Sequence, residues 1–150
     1  MTVLMRNSQG LLKLDQRRLR RITEDLLAYL GLRDRDLSIL LTDNKGIARL
    51  NKKCFGKDYP TNVISFSYVD GLNNEIIGDL IISVEKARSE AEAAAIPFYD
   101  RLLALIIHGL LHVLGFDHEE GGNEARRMRY REKKLFNYVT SSSVHKEIGL

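Results

Sequence analysis

The 150-residue chain has no tryptophan, one cysteine and two prolines. A lone cysteine, Cys54, cannot close an internal disulfide, so the core must hold the fold, and a reducing, cytoplasmic setting is expected. Two prolines and eleven glycines are too few for a collagen-like or low-complexity chain. No repeat period is visible. Long hydrophobic runs are also missing. The apolar stretches are interrupted by charge and fall short of the roughly 20 residues that span a bilayer, so no membrane partner is expected. The opening MTVLMRNSQG lacks the basic region and apolar run of a signal peptide. Neither sign of charge dominates: 23 basic residues face 20 acidic ones, a net +3. The basic residues do cluster, as RRLRR at 17–21 and RRMRYREKK at 126–134. Such clusters read either as solvated helix faces or as surfaces for phosphates.

What is present fits one domain over residues 1–150, with 44% apolar residues and enough length to bury a core. MTVLMRN reads as a strand. A helix follows, with Asp15 as N-cap, Leu19, Ile22, Leu26, Leu27 and Leu30 at helical spacing, and Gly31 at its end. DLSILLTD is a short buried strand, and Asp43 or Asn44 caps the next helix. GKDYPTN is a loop. VISFSYV and EIIGDLIISV flank the turn DGLNN as a hairpin. An alanine-rich helix from Glu85 to Ala95 is broken by Pro97. FYDRLLALIIHGLLHVLG and GGNEARRMRYREKKLFNYV are the last helices, and 141–150 is short helix or loose tail. The order β-α-β-α-β-β-α-α-α predicts an α+β fold. It has a small mixed sheet of about four strands, packed with five to six helices.

Three of the four histidines fall within HGLLHVLGFDH, residues 108–118. The helix before Gly115 is apolar on nearly every face, which marks a central, buried helix. His108 and His112 are four apart and share one face. Gly115 can adopt the left-handed conformation that ends a helix and turns the chain back. His118 can then approach the same point. Three imidazoles around one centre, with a fourth position for water, are the ligand set of a catalytic zinc. Cys54 reads as a buried helical thiol rather than a fourth ligand. Asp117 is either a carboxylate orienting an imidazole or a plain turn residue.

The HxxxHxxGxxH spacing is that of the metzincin proteases, which carry Glu directly after the first histidine as general base. Gly109 occupies that position here, so no side-chain base is identified and a zinc-bound water is the expected nucleophile. With its flanking residues, His108-Gly109-Leu110-Leu111-His112-Val113-Leu114-Gly115-Phe116-Asp117-His118 resembles the signature of the bacterial YbeY endoribonucleases. LNKKCFGKDYPTNVISF (50–66) and IGDLIIS (77–83) resemble that family's other markers. The resemblance covers roughly residues 45–125. It implies a single-strand-specific, zinc-dependent endoribonuclease acting in small-subunit ribosomal RNA maturation and ribosome quality control. The three histidines carry over as ligands of one Zn²⁺, and the ribosome or its proteins as partners, with no DNA expected.

The family usually has arginine before the G-K-D segment, where this chain has Phe55. Either another basic residue, such as Lys57 or Lys53, serves the substrate phosphate, or the activity is weaker or different. Lys57, Arg126 and Arg127 are candidates for the RNA backbone, and Phe66 or Tyr68 for stacking an unpaired base. The rival readings are a metzincin-like metallohydrolase or peptidase, and a ribosome assembly factor whose zinc only stabilises the fold.

Overall fold

Strand β2 (Asp36–Thr42) buries Leu37, Ile39 and Leu41 on one face and half-exposes Ser38 and Leu40 on the other, the period of two that pleating imposes. In the computed structural model, which describes residues 3–68, 75–116 and 122–141, β2 is a middle strand. It pairs in parallel with β1 (Val3–Asn7) and with β4 (Ile76–Ser83). β3 (Val63–Ser67) pairs antiparallel with β4 and forms an edge, giving the order β1-β2-β4-β3. Among the described residues, these four strands are joined by five helices in the order expected. No single helix there is long and apolar enough to cross a membrane.

The main core lies on one face of the sheet. Leu37, Ile39, Leu80 and Ile82 meet α1 (Gln16–Tyr29), α3 (Val84–Ala94), α4 (Phe98–Val113) and α5 (Gly122–Thr140) there. α2 (Asn44–Phe55) covers part of the other face through a small cluster of Ile47, Ile64 and Ile81. Helix starts follow the capping rules. The Asp15 carboxylate accepts from the Arg18 N–H and Asp43 from the Gly46 N–H. Ser83 accepts from the Lys86 N–H while its hydroxyl donates to Asn44 Oδ1 at 2.7 Å. Of the two candidates for the α2 cap, Asp43 takes it. Asn44 ties the starts of α2 and α3 together, because its own N–H donates to Glu85.

α4 is the central helix, with nine buried residues between Leu102 and Val113. Two glycines let it lie flush on the sheet. A Cβ at Gly109 would stand 2.8 Å from a Leu80 methyl and 3.3 Å from Ser65 Oγ. One at Gly78 would meet the Phe66 carbonyl and stand 2.7 Å from Val113. The Phe66 carbonyl is backbone and cannot swing aside, so Gly78→Ala is expected to cost about 2–3 kcal/mol. The melting temperature should fall by roughly 5–10 °C. A melt unchanged within a degree would show that α4 does not press on β4 as described.

One expectation is corrected. Cys54 is exposed rather than buried, because α2 buries only Ile47 and Asn51 and its last turn, residues 52–55, is in solvent. The strand VISFSYV ends its regular pairing at Ser67, one residue before Tyr68. The turn at 70–74 and the tail at 142–150 lie outside the described residues.

Candidate active site

One turn of α4 separates His108 from His112, and both rings lean to the same side. Their Nε2 atoms stand 3.0 Å apart, with ring centroids at 4.5 Å. Behind His108, on the side away from His112, Nδ1 lies 3.4 Å from Oε1 of Glu132 on α5. A carboxylate only accepts, so the proton between them belongs to Nδ1. That leaves the His108 Nε2 lone pair aimed at His112. Two nitrogens facing each other this closely either share a proton in an N–H···N hydrogen bond, donated by His112 Nε2, or ligate one metal ion. Two ligands of one tetrahedral zinc, with bonds near 2.0–2.1 Å, would sit about 3.3 Å apart. The pair therefore suits a zinc ion by ring orientation, spacing and donor chemistry. Among the described residues, no group of three or more ligating side chains gathers at one point. His118 and Asp117 lie outside the described residues.

The two histidines open onto a cleft of about 450 Å³ at the free edge of the sheet. Val63, Ser65 and Ser67 of β3 form one wall, and the end of α2 with the loop after it brings Phe55, Lys57 and Tyr59 to the cleft. The Ser67 hydroxyl donates to the Val113 carbonyl at 2.6 Å, pinning β3 to the end of α4. Buried Asn51 fixes the loop. Its side-chain amide donates to the Tyr59 carbonyl at 2.9 Å, and its backbone carbonyl accepts from the Lys57 N–H. Gly56, at φ +69°, makes the turn between them. At its far end Asn62 reaches Glu90, which also holds Arg101 at 3.0 Å. Among the described lining residues there is no carboxylate.

The structure sorts the residues expected from sequence. Lys57 lines the cleft with His108 and His112. Lys53 is exposed on the last turn of α2. Phe66 lies on the opposite face of β3, half-buried in a second recess with Arg6, Leu50 and Tyr68. The Tyr68 hydroxyl donates to Asp79 at 2.6 Å, and this bond raises its pKa above the ordinary phenol value. Arg126 and Arg127 are away from the cleft, in a recess on α5 with Tyr130, Arg131 and Lys134. Arg127 is paired with Glu124 at 3.0 Å, and the Arg131 guanidinium sits 4.1 Å above the Phe116 ring.

Two contributors escaped the sequence reading. Glu132 is embedded in the run R-E-K-K, where it passes for one more charge on a solvated face. Asn51 follows Ile47 by four on the buried face of α2, and a polar residue at an apolar position was the available signal.

Residues 4–140 match the family model described as Endoribonuclease YbeY. The chain belongs to the YbeY family. A protein of Geobacter sulfurreducens named Endoribonuclease YbeY is 45% identical over 91% of this chain and 94% of its own length. Those of Syntrophus aciditrophicus and Aquifex aeolicus, with the same name, are 41% and 37% identical. The first alignment covers 91% of this chain and 88% of the relative, and the second 87% and 89%. The fold is shared with the solution structure of a Thermotoga maritima protein. It superposes with a TM-score of 0.67 at 23% identity, over 92% of this chain and 89% of that one.

In this YbeY chain the residue after the first histidine is packed where α4 meets the sheet. Gly109 is buried against Leu80 and Ser65, so a glutamate there would be driven into the sheet. The protease-like spacing therefore comes without the protease's base for a steric reason.

Proposed function

We propose that this YbeY-family chain is a zinc-dependent endoribonuclease that cuts single-stranded RNA in the cytoplasm. Its proposed place is small-subunit ribosomal RNA maturation and ribosome quality control. The observation that supports the reading most is the convergence of two imidazole Nε2 atoms, 3.0 Å apart, on a cleft that also holds a lysine and two exposed aromatic rings. His108 and His112 would hold the ion with His118. Bound there, zinc supplies Lewis acidity toward a phosphoryl oxygen and makes water a nucleophile near neutral pH. Glu132, 3.4 Å from Nδ1, would favour the His108 tautomer that presents Nε2. Lys57 is placed to neutralise a substrate phosphate. Ser65 and Ser67 leave the β3 wall low and polar, so that a strand of RNA can lie along the sheet edge.

Among the described cleft residues there is no carboxylate to act as general base. Attack then falls either to water or to the 2′-hydroxyl of the RNA itself, and the product ends distinguish them. A 2′,3′-cyclic phosphate excludes water as the direct nucleophile. The test of the proposal is cleavage of a labelled unstructured RNA and a matched duplex by protein of known zinc content, with and without a chelator. Cutting of the single strand alone, lost on chelation and restored by zinc, is the expected result. Folded, zinc-loaded protein that cuts no RNA would overturn it and favour an assembly factor in which zinc only stabilises the fold.

A further inference from the structure

Phe55 is 52% exposed, a large apolar ring left in solvent. It is the last residue of α2, and Gly56 then turns the chain in a left-handed conformation. One side of the ring is braced. Phe66 lies nearly parallel to it, at an interplanar angle of 8° with centroids 6.1 Å apart, within the range of offset-stacked pairs. The ring also lines the cleft that holds His108 and His112, together with Lys57 and Tyr59, itself 54% exposed. The loop that carries these side chains is preorganised by buried Asn51 through its bonds to Tyr59 and Lys57. Lys52 and Lys53 project from the same turn, and Lys52 is drawn to Asp58 at 3.8 Å.

A rigid, half-exposed aromatic ring flanked by lysines matches one ligand chemistry: an unpaired base stacked on the ring, with its phosphates on the cations. A base held inside a duplex offers no free face, so such a ring also discriminates against double strands. An apolar peptide side chain would use the ring but would make no use of the Lys53 and Lys57 cations. We propose that Phe55, braced by Phe66, is a stacking subsite for one unpaired nucleobase next to the histidine pair, and that it gives the cleft its preference for single strands. This rests on the reading of the cleft as an RNA site. It assigns Phe66 a bracing role from the opposite face of β3, in place of direct contact with the base.

The probes are a fluorescein-labelled oligoadenylate and an oligomer of the same length in which every base is replaced by an abasic residue. Both are measured by anisotropy on the zinc-loaded full chain. Stacking is worth about 1–3 kcal/mol per base, so wild type is expected to prefer the base-bearing strand by roughly tenfold or more. Phe55→Ala should lose most of that ratio while its affinity for the abasic strand stays the same. Phe55→Trp should restore the preference. Because Phe55 is exposed, both variants should melt close to wild type, which a circular-dichroism scan checks. A Phe55→Ala protein that keeps the full preference overturns the stacking subsite while leaving the RNA reading intact. Folded wild type that binds neither strand overturns both.

Discussion

His112→Ala is expected to strip the bound zinc and to lower RNA cleavage by roughly a thousandfold. The several kcal/mol that a catalytic ion supplies convert at 1.36 kcal/mol per tenfold in rate. The fold should survive the change. His112 is only partly buried, and the apolar faces of α4 that hold the core, Leu102 to Val113, are untouched. The loss should therefore appear in metal content and in turnover, with little movement of the melting temperature beyond the contribution of zinc itself. That contribution is separable, since wild-type protein treated with chelator should melt where the variant does. The comparison is made by zinc analysis of dialysed protein alongside cleavage of the unstructured RNA. A variant that keeps one equivalent of zinc, or cuts at the wild-type rate, would remove His112 from the centre.

The elements of this fold were legible wherever local chemistry alone decides them. Asp15 and Gly31 bracket α1 as capping rules require, and Gly31 and Gly115 both adopt positive φ. The all-round apolar pattern of residues 102–114 marked a central helix, and the four-residue step placed two histidines on one side of it. What could not be read was set by tertiary contact. The insertion of β4 between β2 and β3 is invisible to a pattern that sees only neighbours in sequence, although the β3–β4 hairpin itself was visible. Gly109 read as a missing base, whereas in the structure it is a packing position against Leu80 and Ser65. Cys54 read as buried because free thiols usually are, but the last turn of its helix is in solvent. Glu132 is the clearest case. It lies 24 residues from His108 in the chain, and only the packing of α5 against α4 brings it behind the ring.

Glu132→Ala is expected to weaken zinc binding by about 10- to 100-fold, the usual cost of losing a carboxylate that orients a ligating imidazole. The reason is geometric. Without the Glu132 carboxylate, the His108 ring loses the contact that favours a proton on Nδ1 and can carry it on Nε2, the atom that faces His112. Glu132→Gln separates orientation from charge. Its amide oxygen still accepts from Nδ1, so the tautomer is kept while the negative charge that raises imidazole basicity is lost, and a loss of only a few-fold is expected. Both are read by competition with a chromophoric chelator, which needs no RNA and no turnover. The contact lies between two half-exposed side chains, at 28% and 29%, so its contribution to stability is small and the metal-free variants should melt with the metal-free wild type. A purely structural role for Glu132 in joining α5 to α4 predicts the reverse pattern: a lowered melt in the metal-free protein and an unchanged zinc affinity. Equal zinc affinity in Glu132→Ala and wild type would leave His108 oriented by something other than this carboxylate.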